Sequence, residues 1–268
     1  MKKTESETVR LDRRLAGAGL GTRKEVKKLV REGRVTVAGQ IAGDPGERVP
    51  KSADISFDGE ALSPPGYTYL IMNKPAGYVT SAEPDGGAPV TDLLPEKYAR
   101  LGLSPVGRLD KDTVGLLVLT DDGAYNHRAT SPRRGHEKIY YAVVEAIPRD
   151  GIAGYDETLA AGFRAGVTLD GGEVCRPAYV GALDDYIAET GKAGLAEICR
   201  VGNPGVSGDE VIVTVTEGKY HQVKRMFAAF GRRVTYLKRI GFAGLELSAG
   251  LPEGAVMETG VPNGEQRT

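Results

Sequence analysis

The chain has little of what metal and thiol chemistry requires. Its 268 residues include two cysteines, Cys175 and Cys199, and three histidines, His127, His136 and His221. The cysteines stand far apart and form no CxxC, which argues against a disulfide framework. Each reads as a small buried hydrophobe rather than a ligand or nucleophile. The histidines are too few and too scattered for HExxH or a zinc cluster. There is no P-loop, no GxGxxG behind a strand and no GxSxG elbow. An enzyme built on this chain is therefore expected to use no metal and no organic cofactor. No apolar run approaches the ~20 residues of a membrane helix. Met1 to Arg10 is polar, with no apolar stretch behind its lysines, so no secretory signal is expected. The expected location is the cytoplasm, with no membrane partner and a monomer as the default.

What is present is ordinary in bulk and uneven in charge. At 40% hydrophobic and 26% charged residues, the composition is that of a soluble globular protein. The length suits one large domain, or a small one plus a medium one. The net charge of −1 hides an asymmetry. Residues 1–34 carry 11 Lys or Arg against five acids, while the remainder is net acidic. A basic head on a mildly acidic body suggests one end built for phosphate, although a solvated basic tail has the same composition.

Periodicity separates these readings. Thr22 to Glu32 reads as a helix, with Thr22 as cap and Glu25 as its capping-box partner. Val26, Leu29 and Val30 fall on one face, and Lys24, Lys27, Lys28 and Arg31 on the other. That is a folded basic stripe. Gly33 should end the helix. Val35 and Val37 alternate as a strand, Ala38-Gly39-Gln40 turns, and Ile41 starts a second strand. Leu11, Leu15 and Leu20 suggest an earlier helix. Two helices and a small hairpin would make a compact unit ending near Asp58.

Ser63-Pro64-Pro65-Gly66 reads as a linker, which places the domains at 1–62 and 63–268. The second begins with a strand from Tyr67 to Asn73, followed by a loop rich in Gly and Pro. Thr91 to Leu94 is expected to form one helical turn. Leu116–Leu119, Tyr140–Glu145, Val211–Thr216 and Val234–Ile240 read as strands. His221–Phe230 reads as a helix with Val223, Met226, Phe227 and Phe230 buried, closed by Gly231. Strands and helices mix without βαβ alternation. The expected class is α+β: a small N-terminal domain, then a mixed, mainly antiparallel sheet with flanking helices.

Residues 105–123 read Pro-Val-Gly-Arg-Leu-Asp-Lys-Asp-Thr-Val-Gly-Leu-Leu-Val-Leu-Thr-Asp-Asp-Gly. By composition this is a charged loop running into a strand. As a whole it resembles the catalytic motif of pseudouridine synthases, through Gly107-Arg108-Leu109-Asp110, Thr113 and Gly115-Leu116-Leu117. Other stretches resemble that family in the same order: Asn73-Lys74-Pro75-Ala76-Gly77, then Ser131-Pro132 with Glu137-Lys138-Ile139-Tyr140, then Glu217 to Phe227. Residues 9–55 resemble a small RNA-binding domain first described in a ribosomal small-subunit protein, through Arg10-Leu11-Asp12, Thr22-Arg23-Lys24-Glu25 and Gly33 to Val37 with Gly39. The likeness covers roughly residues 9–260. His221 to Met226 and the N-terminal domain resemble most the branch that modifies small-subunit (16S) ribosomal RNA.

The resemblance implies an isomerase that breaks the C1′–N1 bond of a uridine and rejoins the uracil through C5. Nothing is oxidised and no group is imported. The need is for one carboxylate near C1′ and C2′, acting as nucleophile or taking the 2′ proton. Asp110 takes that role by resemblance. A glycoside hydrolase would want two carboxylates and an activated water. Asp112, though close, reads as structural, bound to local backbone. Lys224 would pair with Asp110, although spacing alone makes it an ordinary solvated lysine. Tyr140 would stack on uracil or move a proton, and reads equally as a core tyrosine. Arg108 would help extrude the base, or else form a structural ion pair. Lys74 is expected on phosphate or in solvent, and His221 as a satisfied structural histidine. Lys24, Lys27, Lys28 and Arg31 would contact RNA phosphate.

Asp184 to Asp209 is longer than the family's usual hairpin, either extending a strand pair or contacting RNA. The expected partner is ribosomal RNA, within a partly assembled small subunit or naked. Two alternatives stand beside this: the same reaction on large-subunit (23S) ribosomal RNA, and a non-catalytic RNA-binding assembly factor.

Overall fold

The computed structural model describes residues 8–260 except 19, 51–52, 63–66, 81–85, 148–152 and 204. The linker expected at Ser63–Gly66 lies outside the described residues. Contacts divide the chain into two compact units, Met1–Tyr67 with Pro95–Leu103, and Thr68–Leu94 with Ser104–Thr268.

The first unit contains β1 (Thr8–Arg10), α1 (Leu11–Gly17), α2 (Arg23–Arg31), β2 (Val35–Val37), β3 (Gln40–Ile41), β4 (Arg48–Pro50), β5 (Ile55–Phe57), β6 (Glu60–Leu62) and the short α3 (Glu96–Ala99). The capping box on α2 is present. Thr22 Oγ1 accepts from the Glu25 amide at 3.3 Å, and the Glu25 carboxylate accepts from the Thr22 amide at 2.6 Å. The helix stops where Gly33 takes φ +73°, a conformation that costs a β-carbon dearly. Ala38 and Gly39, both at positive φ, make the hairpin turn. Leu11, Leu15, Val26, Val30, Val35 and Ile55 form the buried centre. Leu20 packs on it from beyond the end of α1 rather than from within a helix. The unit also does not end near Asp58. Strand β5 turns back through Asp58 and Gly59 into β6, so the sheet has four strands in the order β3-β2-β5-β6.

The second unit is built on one sheet. Its strands are β7 (Tyr69–Lys74), β8 (Ser104–Val106), β9 (Val114–Thr120), β10 (Lys138–Ala146), β11 (Tyr179–Ala182), β12 (Asp209–Val215), β13 (Arg232–Phe242), β14 (Leu245–Glu246) and β15 (Val256–Glu258). The main path is β11-β12-β10-β13-β9-β7-β15, with β8 on β9 and β14 on β13. Among the described residues every pairing is antiparallel except β9 with β13. The expected helical turn is a 3-10 turn at Val90–Leu93. Helices α4 (Gly123–Thr130), α5 (Glu157–Ala165), α6 (Leu183–Thr190), α7 (Leu195–Arg200) and α8 (Gln222–Ala228) flank the sheet. This is the α+β class with a mixed, mainly antiparallel sheet. Among the described residues no helix is long and apolar enough to cross a membrane.

Residues 184–209 neither extend a strand pair nor stand free. They fold mainly as α6 and α7, whose Leu183, Leu195 and Cys199 pack with Tyr141, Ile212, Tyr236 and Ile240. Lys238, 1% exposed, donates to Ile198 O and Val201 O at the end of α7, both at 2.7 Å. Strand alternation puts Tyr141, Lys238 and Ile240 on this face and their neighbours Tyr140 and Arg239 on the other. Both cysteines are buried and free. Burial pushes the Cys175 thiol up to about 11 and the Cys199 thiol up to about 12, so neither is a ready nucleophile.

Candidate active site

The face opposite α6 and α7 opens into a cleft of about 630 Å³. Its floor includes Leu237, Arg239 and Phe242 of β13 with Lys138 and Tyr140 of β10, and its walls include residues 107–111, 113 and 215–224. Among the lining side chains Arg108, Lys111, Lys138, Lys219, Lys224 and Arg239 outnumber Asp110 and Glu217, which suits a polyanion.

Asp110 sits on the loop between β8 and β9, and that loop is held at several points. Gly107, at φ +75°, turns the chain into it. Thr80 Oγ1 lies 3.1 Å from Leu109 O and 3.3 Å from Leu109 N, answering both backbone groups. Thr113 N closes a turn on Asp110 O at 3.1 Å. Gly115, at φ +96°, lets β9 reach β13: a β-carbon there would lie 2.3 Å from Arg239 O. The parallel register Arg239↔Gly115 therefore depends on a missing side chain.

Lys74 corrects the sequence reading. It reaches neither solvent nor phosphate, being 0% exposed. Its Nζ donates to the carbonyls of Pro75, Asp110, Lys111 and Thr113 at 3.1, 3.2, 3.3 and 2.8 Å. Burial pulls its pKa down to about 8, against the pull of Asp112 and Asp110. A buried ammonium is tolerable only when fully hydrogen-bonded, and four carbonyls supply that. Lys74 holds the loop that carries Asp110.

Lys224, on α8, brings its Nζ to 3.5 Å from Asp110 Oδ2 and 2.6 Å from Asp112 Oδ1. It therefore joins two carboxylates, and the shorter contact goes to Asp112. Asp112 pairs with this lysine rather than acting mainly on local backbone. Desolvation raises its pKa, but the hydrogen bond and charge of Lys224 leave it below the usual carboxylate value. Arg225 turns away to Asp170 and Glu173.

His221 faces the Asp110 carboxylate as well. Its Nε2 lies 3.5 Å from Asp110 Oδ1, and its backbone adopts φ +48° as it caps α8. Tyr140 is 8% exposed and lines the cleft. Arg108 is exposed at the rim and forms no ion pair among the described residues.

Two cations at the site, Lys138 and Arg239, are not among the residues the sequence singles out for it. Lys138 donates to His136 O at 3.0 Å, and burial pulls its pKa down to about 8. Arg239, 1% exposed, donates from Nε to Leu116 O at 2.8 Å and lies 4.8 Å above the Phe242 ring. Burial lowers its pKa, while Tyr140 opposes that. Two successive cations, Lys238 and Arg239, between apolar Leu237 and Ile240 were the available signal for Arg239. Among the described residues no group of three or more His, Cys, Asp or Glu is placed to hold a metal.

The basic stripe is folded as expected in its own unit. Lys24, Lys28 and Arg31 are exposed and Lys27 is partly so. Lys28 lies 3.7 Å from Glu32; the other three form no ion pair among the described residues.

A carboxylate in a cation-lined cleft, in a chain that also carries a small basic-faced domain, has the make-up of an enzyme acting on RNA. The chain belongs to the RNA pseudouridylate synthase family, which its residues 68–229 match. Residues 9–55 match the S4 domain. It is 37% identical over 93% of its length to the Bacillus subtilis protein named uncharacterized RNA pseudouridine synthase YtzG, covering 94% of that protein. It is 34% identical over 92% of its length to the Escherichia coli ribosomal small subunit pseudouridine synthase A, again covering 94%. A solved structure described as a pseudouridylate synthase is similar at a TM-score of 0.58 and 30% identity, over 94% of this chain and 96% of that one.

Proposed function

We propose that this protein converts a specific uridine to pseudouridine in small-subunit ribosomal RNA, with Asp110 as its reacting carboxylate. One observation carries the reading. Asp110 stands in the cleft within 3.5 Å of both Lys224 and His221, on a loop clamped by buried Lys74 and Thr80. The small-subunit target rests on the relatives that carry that name and match the chain at nearly full length.

Asp110 either attacks C1′ or removes the 2′ proton. Both routes leave the electron pair of the broken C1′–N1 bond on the detached uracil. The uracil turns within the cleft, and C5 forms the new bond to C1′, displacing the Asp110 carboxylate from C1′ on the first route, or with Asp110 returning the proton to C2′ on the second. The C5 proton leaves and N1 gains one, so atoms and charge balance without a co-reactant. Lys224 positions the carboxylate, and Tyr140 holds the uracil face. Water must be kept out while the base is free, which the apolar Leu237 and Phe242 on the floor favour. Arg108, free at the rim, fills the space left by the extruded nucleotide. Lys24, Lys27, Lys28 and Arg31 add affinity through phosphate. The protein acts as a monomer in the cytoplasm.

The test is to map pseudouridine in ribosomal RNA from cells with and without the gene, by carbodiimide labelling and reverse-transcription stops. One stop lost from small-subunit RNA, and restored by the intact gene, is expected. A stop lost from large-subunit RNA would keep the chemistry and overturn the target.

A further inference from the structure

Tyr220 has no part in the isomerisation, yet it is the most exposed large hydrophobic side chain among the described residues, at 76%. It lines the mouth of the cleft. Its ring stacks on His221, with centroids 3.9 Å apart and planes 18° apart. His221 in turn faces Asp110. The two rings therefore form a short stack, with one end on the reacting carboxylate and the outer tyrosine face open to solvent.

The turn that presents this stack is held rigid. Gln222 Oε1 accepts from Lys219 N at 2.9 Å, and Gln222 N donates to Lys219 O at 3.2 Å. Arg225 Nη1 donates to Tyr220 O at 3.3 Å and is anchored through Nε on Asp170 at 2.7 Å. His221 keeps the left-handed backbone that aims both rings, a conformation that persists only when its surroundings hold it. An exposed aromatic held this firmly loses little freedom on binding.

We infer that Tyr220 stacks on the base of a nucleotide adjoining the target uridine. The inference rests on the function proposed above. Extruding a uridine strips a stacking partner from each neighbour, and an open aromatic face beside the cleft can replace one. Every base has a π-face, so the contact selects an unstacked strand rather than a base identity.

The test uses the full chain and a small-subunit RNA fragment carrying the mapped uridine. One form of the fragment is intact; two others are abasic at the nucleotide 5′ or 3′ of the target. On intact RNA, Tyr220→Ala should raise KM about tenfold, with kcat within about twofold of wild type. Tyr220→Phe should keep the wild-type KM. On one of the abasic fragments the difference between wild type and Tyr220→Ala should vanish. An unchanged KM on intact RNA, or the same loss on both abasic fragments, would overturn the inference while leaving the proposed function intact. Wild type inactive on the intact fragment would remove both.

Discussion

Replacing Lys74 by Met removes the ammonium while keeping most of the side chain's volume. The consequences follow from its four acceptors. Three of them, on Asp110, Lys111 and Thr113, belong to the loop that carries the candidate carboxylate. Burying the ammonium costs several kcal/mol, which the carbonyls offset. Without it those carbonyls are left facing a thioether. A buried acceptor without a partner costs about 1–3 kcal/mol, and relaxation would relieve some of the four. A net loss of about 3–5 kcal/mol is expected, the usual cost of breaking a buried charged cluster.

The pH dependence has a definite sign. The Lys74 pKa is near 8 in the folded protein, against an ordinary value of 10.5. Between those values the unfolded chain binds more protons than the native one, so stability from this group rises with pH. Below pH 8 both states are protonated and the contribution is flat. The advantage of wild type over Lys74→Met should therefore widen from pH 8 to 10.5, by at most about 1.4 kcal/mol per unit. Lys138 titrates nearby but is common to both proteins and cancels. Urea unfolding at pH 7, 8, 9 and 10 measures this. In folded variant at low temperature, kcat should fall about 100-fold as the loop shifts. A variant within about 1 kcal/mol of wild type, with full kcat, would refute the clamp.

Further outcomes test other parts of the account. Gly115→Ala forces a β-carbon to 2.3 Å from Arg239 O at φ +96°. It should cost at least about 3 kcal/mol in thermal unfolding, and a smaller loss would mean that β9 and β13 tolerate separation. Changing Lys24, Lys27, Lys28 and Arg31 to Ala should weaken RNA binding and flatten the plot of log affinity against log salt, by up to about 0.9 per lost phosphate contact. An unchanged slope would mean that this face does not touch RNA. Leu195→Ala, in the core beneath α7, should cost about 2–5 kcal/mol without changing KM. A raised KM with unaltered stability would give the 184–209 segment a role in RNA binding.

The sequence made the elements legible where the signal was local. The capping box at Thr22 and Glu25, the stop at Gly33 and the Ala38-Gly39 turn each depend on neighbours within a few residues. All three stand in the structure. Among the described residues, five of the nine strands of the large sheet, β7, β9, β10, β12 and β13, were visible as apolar runs, but their order was not, because pairing such as Arg239 with Gly115 joins residues far apart. Lys74 misled because a lone lysine beside Pro75 looks solvated. Its four acceptors come mostly from a loop more than thirty residues on. The nearness of His221 to Asp110 was not legible either, since it arises from the fold. The helices of the 184–209 segment were not legible beneath its Gly and Ala content. Leu183, Leu195 and Cys199 bury one side of two short helices.

The most direct measurement is tritium release from RNA labelled at uridine C5, using purified wild type and Asp110→Ala. Rejoining through C5 must expel that hydrogen. The account predicts one tritium released per target uridine by wild type. It predicts none by Asp110→Ala, with RNA affinity retained because binding rests on the basic side chains. Release by the Asp110→Ala variant at the wild-type rate would contradict the assignment of the carboxylate.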